Sequence, residues 1–285
     1  MKPDEAIKIV HNSNNIQGWF TSEAAMLFAW IDEIQQENRI IGDIFEIGCH
    51  HGKSTLFLCE MLDPSREKLG VCDLFGEQDA NISCSGMGDL ETFKRNISSL
   101  SEGRMEIRIF QKNSISLTPK DVGDGIRFFH IDGGHTPYET LSDLRLASDA
   151  IIENGIIALD DPFRPEWPGV TEGLINFLDD YKQFCSIIVG FNKLILTKRS
   201  CSDLYFDAIR NVEQRQAYGL DYPWQLKELD FKGNHLQIFY LPTHLSKTNL
   251  SIFLRKYYRK HNWIKNPLFH PFITVANSIF RKSQQ

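Results

Sequence analysis

Between residues 125 and 161 two apolar runs, GIRFFHID and GIIALDD, each end on acid, and a stretch of helical periodicity lies between them. Two extended runs joined by a helix make a strand–helix–strand unit, which needs a parallel sheet with a helix packed on its face. Open sheets of that kind take their ligands beyond the carboxyl ends of the strands. The tips FFHIDGGHTP and ALDDP, whose acids Asp132 and Asp160 stand 28 residues apart, therefore bring Asp132, His135, Asp160 and Asp161 to one crevice. Three carboxylates and an imidazole there suggest a hard-metal site with a base.

The start of the intervening helix is legible in detail. Thr136 can accept from the Glu139 amide while Glu139 reaches back to Thr136, and Pro137 takes the first helical position, which is a capping box. Leu141, Leu144, Ala147 and Ile151 recur at helical spacing, and Asn154-Gly155 is the expected stop.

The rest of the chain continues the alternation. Thr21 is placed to cap a helix through TSEAAMLFAWIDEIQQ, Ile40 to Gly48 reads as a strand, KSTLFLCEML as a helix, and KLGVCDLF as a second strand. DLETFKRNISSL is a helix, MEIRIFQKN a third strand, and a helix is expected from about Val170 to Tyr181. CSIIVGF and KLILTKR then form two strands joined by a tight turn at Asn192. This predicts a Rossmann-like α/β fold: a doubly wound, mostly parallel sheet with one antiparallel strand, plus N-terminal helices and a basic C-terminal extension. The expected divisions are 1–39, a helical lid segment; 40–200, the cofactor-binding domain; and 201–285, the extension.

The first strand ends in IFEIGCHHGKST. Gly48 and Gly52 permit a tight turn and close approach to a ligand, but a phosphate-binding GxxxxGK[ST] loop would need one more residue, and GxGxxG is absent. Kinase and nicotinamide-oxidoreductase readings fail on those counts. What remains is a glycine loop preceded by Glu46, with Asp73 closing the second strand 25 residues beyond Gly48, where an acid can hold both ribose hydroxyls. Glu46 would repel a pyrophosphate but suits a ligand with an amino group and a positive centre.

Charge is unevenly spread. Of 31 Lys and Arg, nine lie in residues 231–285, which contain no Asp or Glu, so the other 22 face all 37 acids. The basic, aromatic-rich stretch FLRKYYRKHNWIKNPLF could pack on the acidic body, meet a membrane surface or anionic partner through 245–285, or support a homo-oligomer. Nucleic acid is not an expected partner. The six cysteines are scattered without a CxxC pair, the first fifteen residues lack the apolar core of a signal peptide, and no apolar run is long enough to span a bilayer. A cytoplasmic location is expected.

EIGCHHGKS, the Asp73 strand end, HIDGGH, and LDDP followed by PGV together resemble the class I S-adenosylmethionine-dependent methyltransferases. Within these the chain most resembles the metal-dependent sugar O-methyltransferases of the macrocin O-methyltransferase group, with catechol O-methyltransferase more distant; the resemblance covers roughly residues 16 to 200. It implies that Glu46, Gly48, Gly52 and Ser54 line the methionine side of S-adenosyl-L-methionine, that Asp73 holds the ribose, and that Asn113 and Ser114 meet the adenine. It implies Asp132, Asp160 and Asp161 as ligands of Mg²⁺, or of another hard divalent cation, and His135 as the base. His50, His51 and the basic extension have no role in the resemblance.

The residue chemistry agrees with that assignment. Three carboxylates favour Mg²⁺ over zinc, and an octahedral ion can orient a vicinal diol and lower its hydroxyl pKa. His135 lies one residue before the helix cap, where the dipole disfavours imidazolium. Adjacent aspartates on an extended strand point apart, so both meet one ion only if the chain turns there, as Pro162 allows. His130, inside the run FFHI, reads as a hydrogen-bonded core group, and IQGWFTSEA, with Trp19 and Phe20, as a lid. The expected function is divalent-metal-assisted O-methylation of a hydroxyl on a small diol-bearing acceptor, a sugar or glycosylated metabolite. The alternative is a non-catalytic methyltransferase-like scaffold whose basic tail does the binding.

Overall fold

A computed structural model describes residues 1–100, 107–221 and 223–242 of the chain. In chain order the elements are α1 (Pro3–Asn12), α2 (Ser22–Glu37), β1 (Asp43–Ile47), α3 (Lys53–Met61), β2 (Leu69–Asp73), α4 (Leu90–Leu100), β3 (Ile107–Gln111), α5 (Pro119–Val122), β4 (Ile126–Ile131), α6 (Pro137–Ala150), β5 (Ile151–Asp160), α7 (Pro168–Asp180), β6 (Phe184–Gly190), β7 (Lys193–Lys198), α8 (Ser202–Arg210), α9 (Val212–Ala217), β8 (Gln225–Phe231) and β9 (Asn234–Tyr240). They build one nine-stranded sheet in the order β3-β2-β1-β4-β5-β7-β6-β9-β8. β1 to β5 run parallel; of the seven strands foreseen from the sequence only β7 is antiparallel to them.

The centre of the sheet is covered on both faces, which is why its strands read as continuous apolar runs rather than alternating ones. All six residues of β4 are buried. Their side chains divide between two cores: Phe128 joins the one beneath α2 and α3 with Phe28 and Phe57, and Phe129 joins the one with Leu144, Val170 and Phe177 of α6 and α7. Each such phenylalanine contributes about 1.5–3 kcal/mol by burial.

One residue of β4 escapes the alternation. The ladder shifts between Ile126 and Phe128 on both sides, leaving Arg127 in a bulge. The bulge re-aims the side chain, as such insertions do. The buried guanidinium is ion-paired with Asp32 Oδ1 of α2 at 2.8 Å and donates to Gln35 Oε1 of α2 at 2.7 Å, to Glu67 Oε1 at 2.9 Å, and to the Met61 carbonyl at 2.8 Å.

The caps foreseen from the sequence form: Thr21 Oγ1 accepts from the Ala24 amide, and Thr136 and Glu139 make the capping box that opens α6. Two expectations differ. α6 stops at Ala150 instead of Asn154-Gly155, because Ile151 pairs with Ile126 at the start of β5. Gly155 sits where the ladder slips, and a Cβ there would lie 3.0 Å from the Ile126 carbonyl oxygen. The sheet also runs past residue 200: β9 pairs with β6 through Ile188↔Gln237 and Val189↔Ile238, and a Lys232-Gly233 turn with φ of 54° and 74° returns β9 onto β8. Both central residues at positive φ make the tight turn that suits a twisted hairpin.

All six cysteines are free and five are buried. No helix among the described residues is long and apolar enough to cross a membrane. The chain divides after Tyr240, and the basic stretch from 243 on lies outside the described residues, together with the expectations placed on it.

Candidate active site

The carboxyl ends of β1, β2 and β4 meet at the glycine loop. Gly48 has φ +84°, and a Cβ on it would stand 1.8 Å from the Asp132 carbonyl oxygen, so the β1 and β4 tips touch backbone to backbone. The Asp132 amide donates to the Ile47 carbonyl at 2.8 Å. Gly52, at φ +89°, precedes α3 without a side-chain cap, so the first amides of that helix face the loop as a site for an anion such as a carboxylate. Ser54 is buried in that first turn. Asp73 ends β2, its Oδ2 accepting from the His50 amide at 2.7 Å and its Oδ1 from the Phe75 amide at 2.6 Å. After β3, Asn113 Oδ1 accepts from the Ile115 amide and opens the short turn holding Ser114. An anion-binding helix start, an acid at β2 and polar groups after β3 suit the carboxylate, ribose and base of an adenosyl amino acid.

Glu46, expected on the methionine side, is fully buried. The pleat of β1 turns it onto the α2–α3 face, where Thr55 Oγ1 donates to it at 2.5 Å and His130 Nδ1 lies 2.9 Å away. His130 is accordingly a hydrogen-bonded core group, although its Nε2 has no hydrogen-bond partner among the described residues.

A second row of polar groups crosses the tips of β4, β5 and β7. Asp160 faces Lys193 across the β5–β7 ladder, and the Lys193 ammonium contacts Asp160 Oδ2. Asp160 Oδ1 accepts from the Asp161 amide at 2.9 Å and from Asn192 Nδ2 at 2.8 Å. The chain does turn here, with Asp161 at φ +57°. Asp161 Oδ1 accepts from Asn192 Nδ2 at 2.7 Å and Arg164 NH1 at 2.9 Å, and its Oδ2 lies 3.0 Å from His135 Nε2. The other nitrogen of His135, Nδ1, is 3.0 Å from Ser85 Oγ and 3.3 Å from Ser83 Oγ, and Trp167 stacks on the ring at 4.1 Å.

These contacts shift the ionisable groups. Burial, reinforced by Asp160, pushes the Asp132 carboxyl well above the usual range. Burial also works to raise Asp161, but His135, Asn192 and Arg164 outweigh it and hold that carboxyl at about 2. Burial opposes the charge on Lys193, and Asp160 and Asp132 more than restore it, leaving its pKa raised.

A Mg²⁺ ion needs a free oxygen from each ligand directed at one point about 2.1 Å away. The three aspartates do not offer that. Ligand atoms within 4.8 Å of one another occur in two groups, His130 with Asp132 and Asp160, and Asp132 with His135 and Asp161, among the described residues. Both oxygens of Asp160 and of Asp161 are already engaged, and a cation belonging to the protein touches Asp160. The donor set therefore does not fit the expected ion.

The stretch foreseen as a lid lies over this region. Phe20 stands 5.3 Å from Phe28, 5.7 Å from Phe57 and 6.4 Å from His130, with the Lys193 ammonium 5.8 Å from its ring. Trp19, 72% exposed, lies 5.3 Å from His50 of the glycine loop.

Sequence reading missed Lys193, Asn192, Arg164, Ser83 and Ser85. The turn at Asn192 was foreseen but not its contacts, and the place of Lys193 depends on the register of β7 against β5. The serines and Arg164 sit in loops without periodicity.

Asp143 of α6 was also missed. It is fully buried, neither oxygen makes a well-formed hydrogen bond among the described residues, and burial, partly offset by Ser114, raises its pKa to about 7. A carboxyl raised in the folded state binds more protons folded than unfolded, so its contribution is complete below about pH 4 and lost as pH rises through about 7. Asp143→Asn is expected to flatten the fall in stability across that window and to melt above wild type at pH 8. Parallel pH profiles of the two proteins would contradict this.

A family model described as a methyltransferase domain matches residues 45–162, from one residue before Glu46 to one past Asp161. Among solved structures the O-methyltransferase NovP is 14% identical, with a TM-score of 0.54 over 67% of this chain and 88% of that one. The SAH-bound Podospora anserina methyltransferase PaMTH1 is 14% identical, covering 69% and 88% at a TM-score of 0.48. CalS11, a TDP-rhamnose 3′-O-methyltransferase of calicheamicin biosynthesis, is 13% identical, covering 69% and 94% at 0.46. No curated protein sequence matches the chain. The NovP likeness bears out the Rossmann-like fold. The segment that matches the methyltransferase-domain model holds the glycine loop, Asp73 and both acid turns.

Proposed function

We propose that the chain transfers the methyl group of S-adenosylmethionine to a hydroxyl of a small diol-bearing acceptor, a saccharide or glycosylated metabolite. The observation that carries this reading is the environment of His135. With Asp161 ionised beside it, Nε2 holds the proton and donates to Asp161, leaving the Nδ1 lone pair to accept from a hydroxyl. Ser85 Oγ takes that place at 3.0 Å, where an acceptor hydroxyl would stand to give up its proton. NovP and CalS11 are both described as O-methyltransferases, and CalS11 as acting on a rhamnose, which supports oxygen and a sugar as the acceptor type.

When bound, the cofactor supplies a methyl carbon made electrophilic by a positive sulfur. His135 Nδ1 takes the acceptor proton as the oxygen forms its bond to carbon, and the carbon–sulfur pair leaves with sulfur as a neutral thioether. The start of α3, the glycines at 48 and 52, and Asp73 hold the donor in line; Asn113 and Ser114 flank its base. Trp19 and Phe20 exclude water.

Radiolabelled methyl transfer to a panel of glycosides and nucleotide sugars tests the reading. Label should appear on vicinal diols and be absent from their deoxy counterparts; label on amines alone would contradict it. Asp73→Asn removes a charge-assisted ribose contact worth about 1.5–3 kcal/mol, so cofactor affinity should fall roughly 10- to 100-fold. Unchanged affinity would remove Asp73 from the site.

A further inference from the structure

We infer that Lys193 is the resident cation of the acceptor site, standing where a divalent ion was expected, so that this methyltransferase works on its acceptor without a metal. The inference rests on the proposed function for the reaction and on the hairpin between β6 and β7 for the chemistry.

That hairpin is built to deliver the ammonium. Phe191 and Asn192 lie at φ 56° and 65°, both in the left-handed region, which is costly for a side chain as large as phenylalanine. The turn is held because Asn192 serves the acids three ways: its carbonyl accepts from the Asp161 amide at 3.2 Å, and its side-chain amide donates to Asp160 Oδ1 and Asp161 Oδ1. The next residue, Lys193, then falls opposite Asp160 in the ladder. Its side chain is 2% exposed, enclosed by Asp160 and the face of Phe20, with Asp132 and Asp161 in the same field.

The place beside Asp160 is thus taken by a charge of the protein's own, held there by the strand register and by the Asn192 turn. A divalent ion among these carboxylates would have to displace Asn192 and Arg164 from their oxygens and sit beside a like charge. The ammonium offers instead a fixed positive charge among the acids at the tips of β4 and β5. Its contact to Asp160 uses one of its three donors. Lys193 takes no part in the proton transfer, and the balance of methyl transfer is unchanged.

The test is manganese binding, read as loss of the free-ion paramagnetic resonance signal on adding the full chain. S-adenosylhomocysteine titrated into the same preparation checks the cofactor reading separately. The wild-type protein should bind the thioether yet leave the manganese signal undiminished, and turnover should survive EDTA. Lys193→Met, which removes the charge and keeps much of the volume, should lower turnover at least tenfold and gain one manganese site. Uptake of one manganese by the wild type, or loss of its turnover in EDTA, would overturn the inference; so would a folded Lys193→Met that gains no site. Should that variant not fold, the wild-type measurement still decides. Absence of thioether binding by the wild type would instead strike at the proposed function.

Discussion

Gly48→Ala is expected to lower cofactor affinity by more than 100-fold and to destabilise the fold by about 2–4 kcal/mol. The added methyl would sit 1.8 Å from the Asp132 carbonyl oxygen on a backbone at φ +84°, so neither a rotamer change nor a small side-chain shift can relieve it. The β1 and β4 tips must separate. That movement displaces the loop leading into α3 and the segment carrying Asp132 and His135 together, so donor and acceptor sites fail at once. Gly76→Ala is the matched control: no atom lies within 4 Å of its Cβ position, and it should behave as wild type. Near-normal binding by Gly48→Ala would mean that the two tips are not held in contact in solution.

The second large effect lies at the opposite end of β4. Arg127→Met removes a buried guanidinium and leaves Asp32 and Glu67 without it, which costs about 3–5 kcal/mol when one partner of a buried ion network is deleted. For a chain of this size that corresponds to a melting point lower by roughly 10 °C. Cofactor affinity should stay within about twofold at temperatures where the variant is folded, since the tips of β1, β2 and β4 make none of these contacts. An unchanged melting point would show that the network contributes no net stability, the result found where a hydrophobic replacement compensates for the lost charges. The two variants thus separate site from scaffold: Gly48→Ala should lose ligand beyond its loss of stability, and Arg127→Met stability without ligand.

The parts of this fold that read plainly from the sequence are those set by local rules. Pro137, Thr136 and Glu139 announce a helix start whatever surrounds them, and strands covered on both faces show as apolar runs such as FFHI. The β8–β9 hairpin escaped because its strands are half exposed and carry charges at Lys227, Glu228 and Asp230, so no apolar run marks them. Glu46 was placed near the cofactor from its position beside the glycines, but pleat direction decides where a strand residue points, and its face of β1 looks into the core. Lys193 was invisible for a different reason. A lysine in KLILTKR looks like an exposed strand end until the register sets it against Asp160, and register is a property of the pair of strands, not of either one.

The hairpin also explains why the metal expectation arose and where it departs from the structure. Asp132, Asp160 and Asp161 are spaced as ion ligands are, and the turn at Asp161 does bring the last two together. Their partners come from residues 164, 192 and 193, far along the chain or in loops, and those partners occupy the oxygens that an ion would use.

The most direct test of the account is calorimetric titration of the wild-type chain with S-adenosylmethionine in metal-free buffer, with Gly48→Ala alongside. One molecule should bind per wild-type chain with a saturating heat, and the alanine protein should show none over the same range. A wild-type protein that gives no binding heat, or a Gly48→Ala protein that binds equally well, would contradict the assignment of the glycine loop as the cofactor's seat.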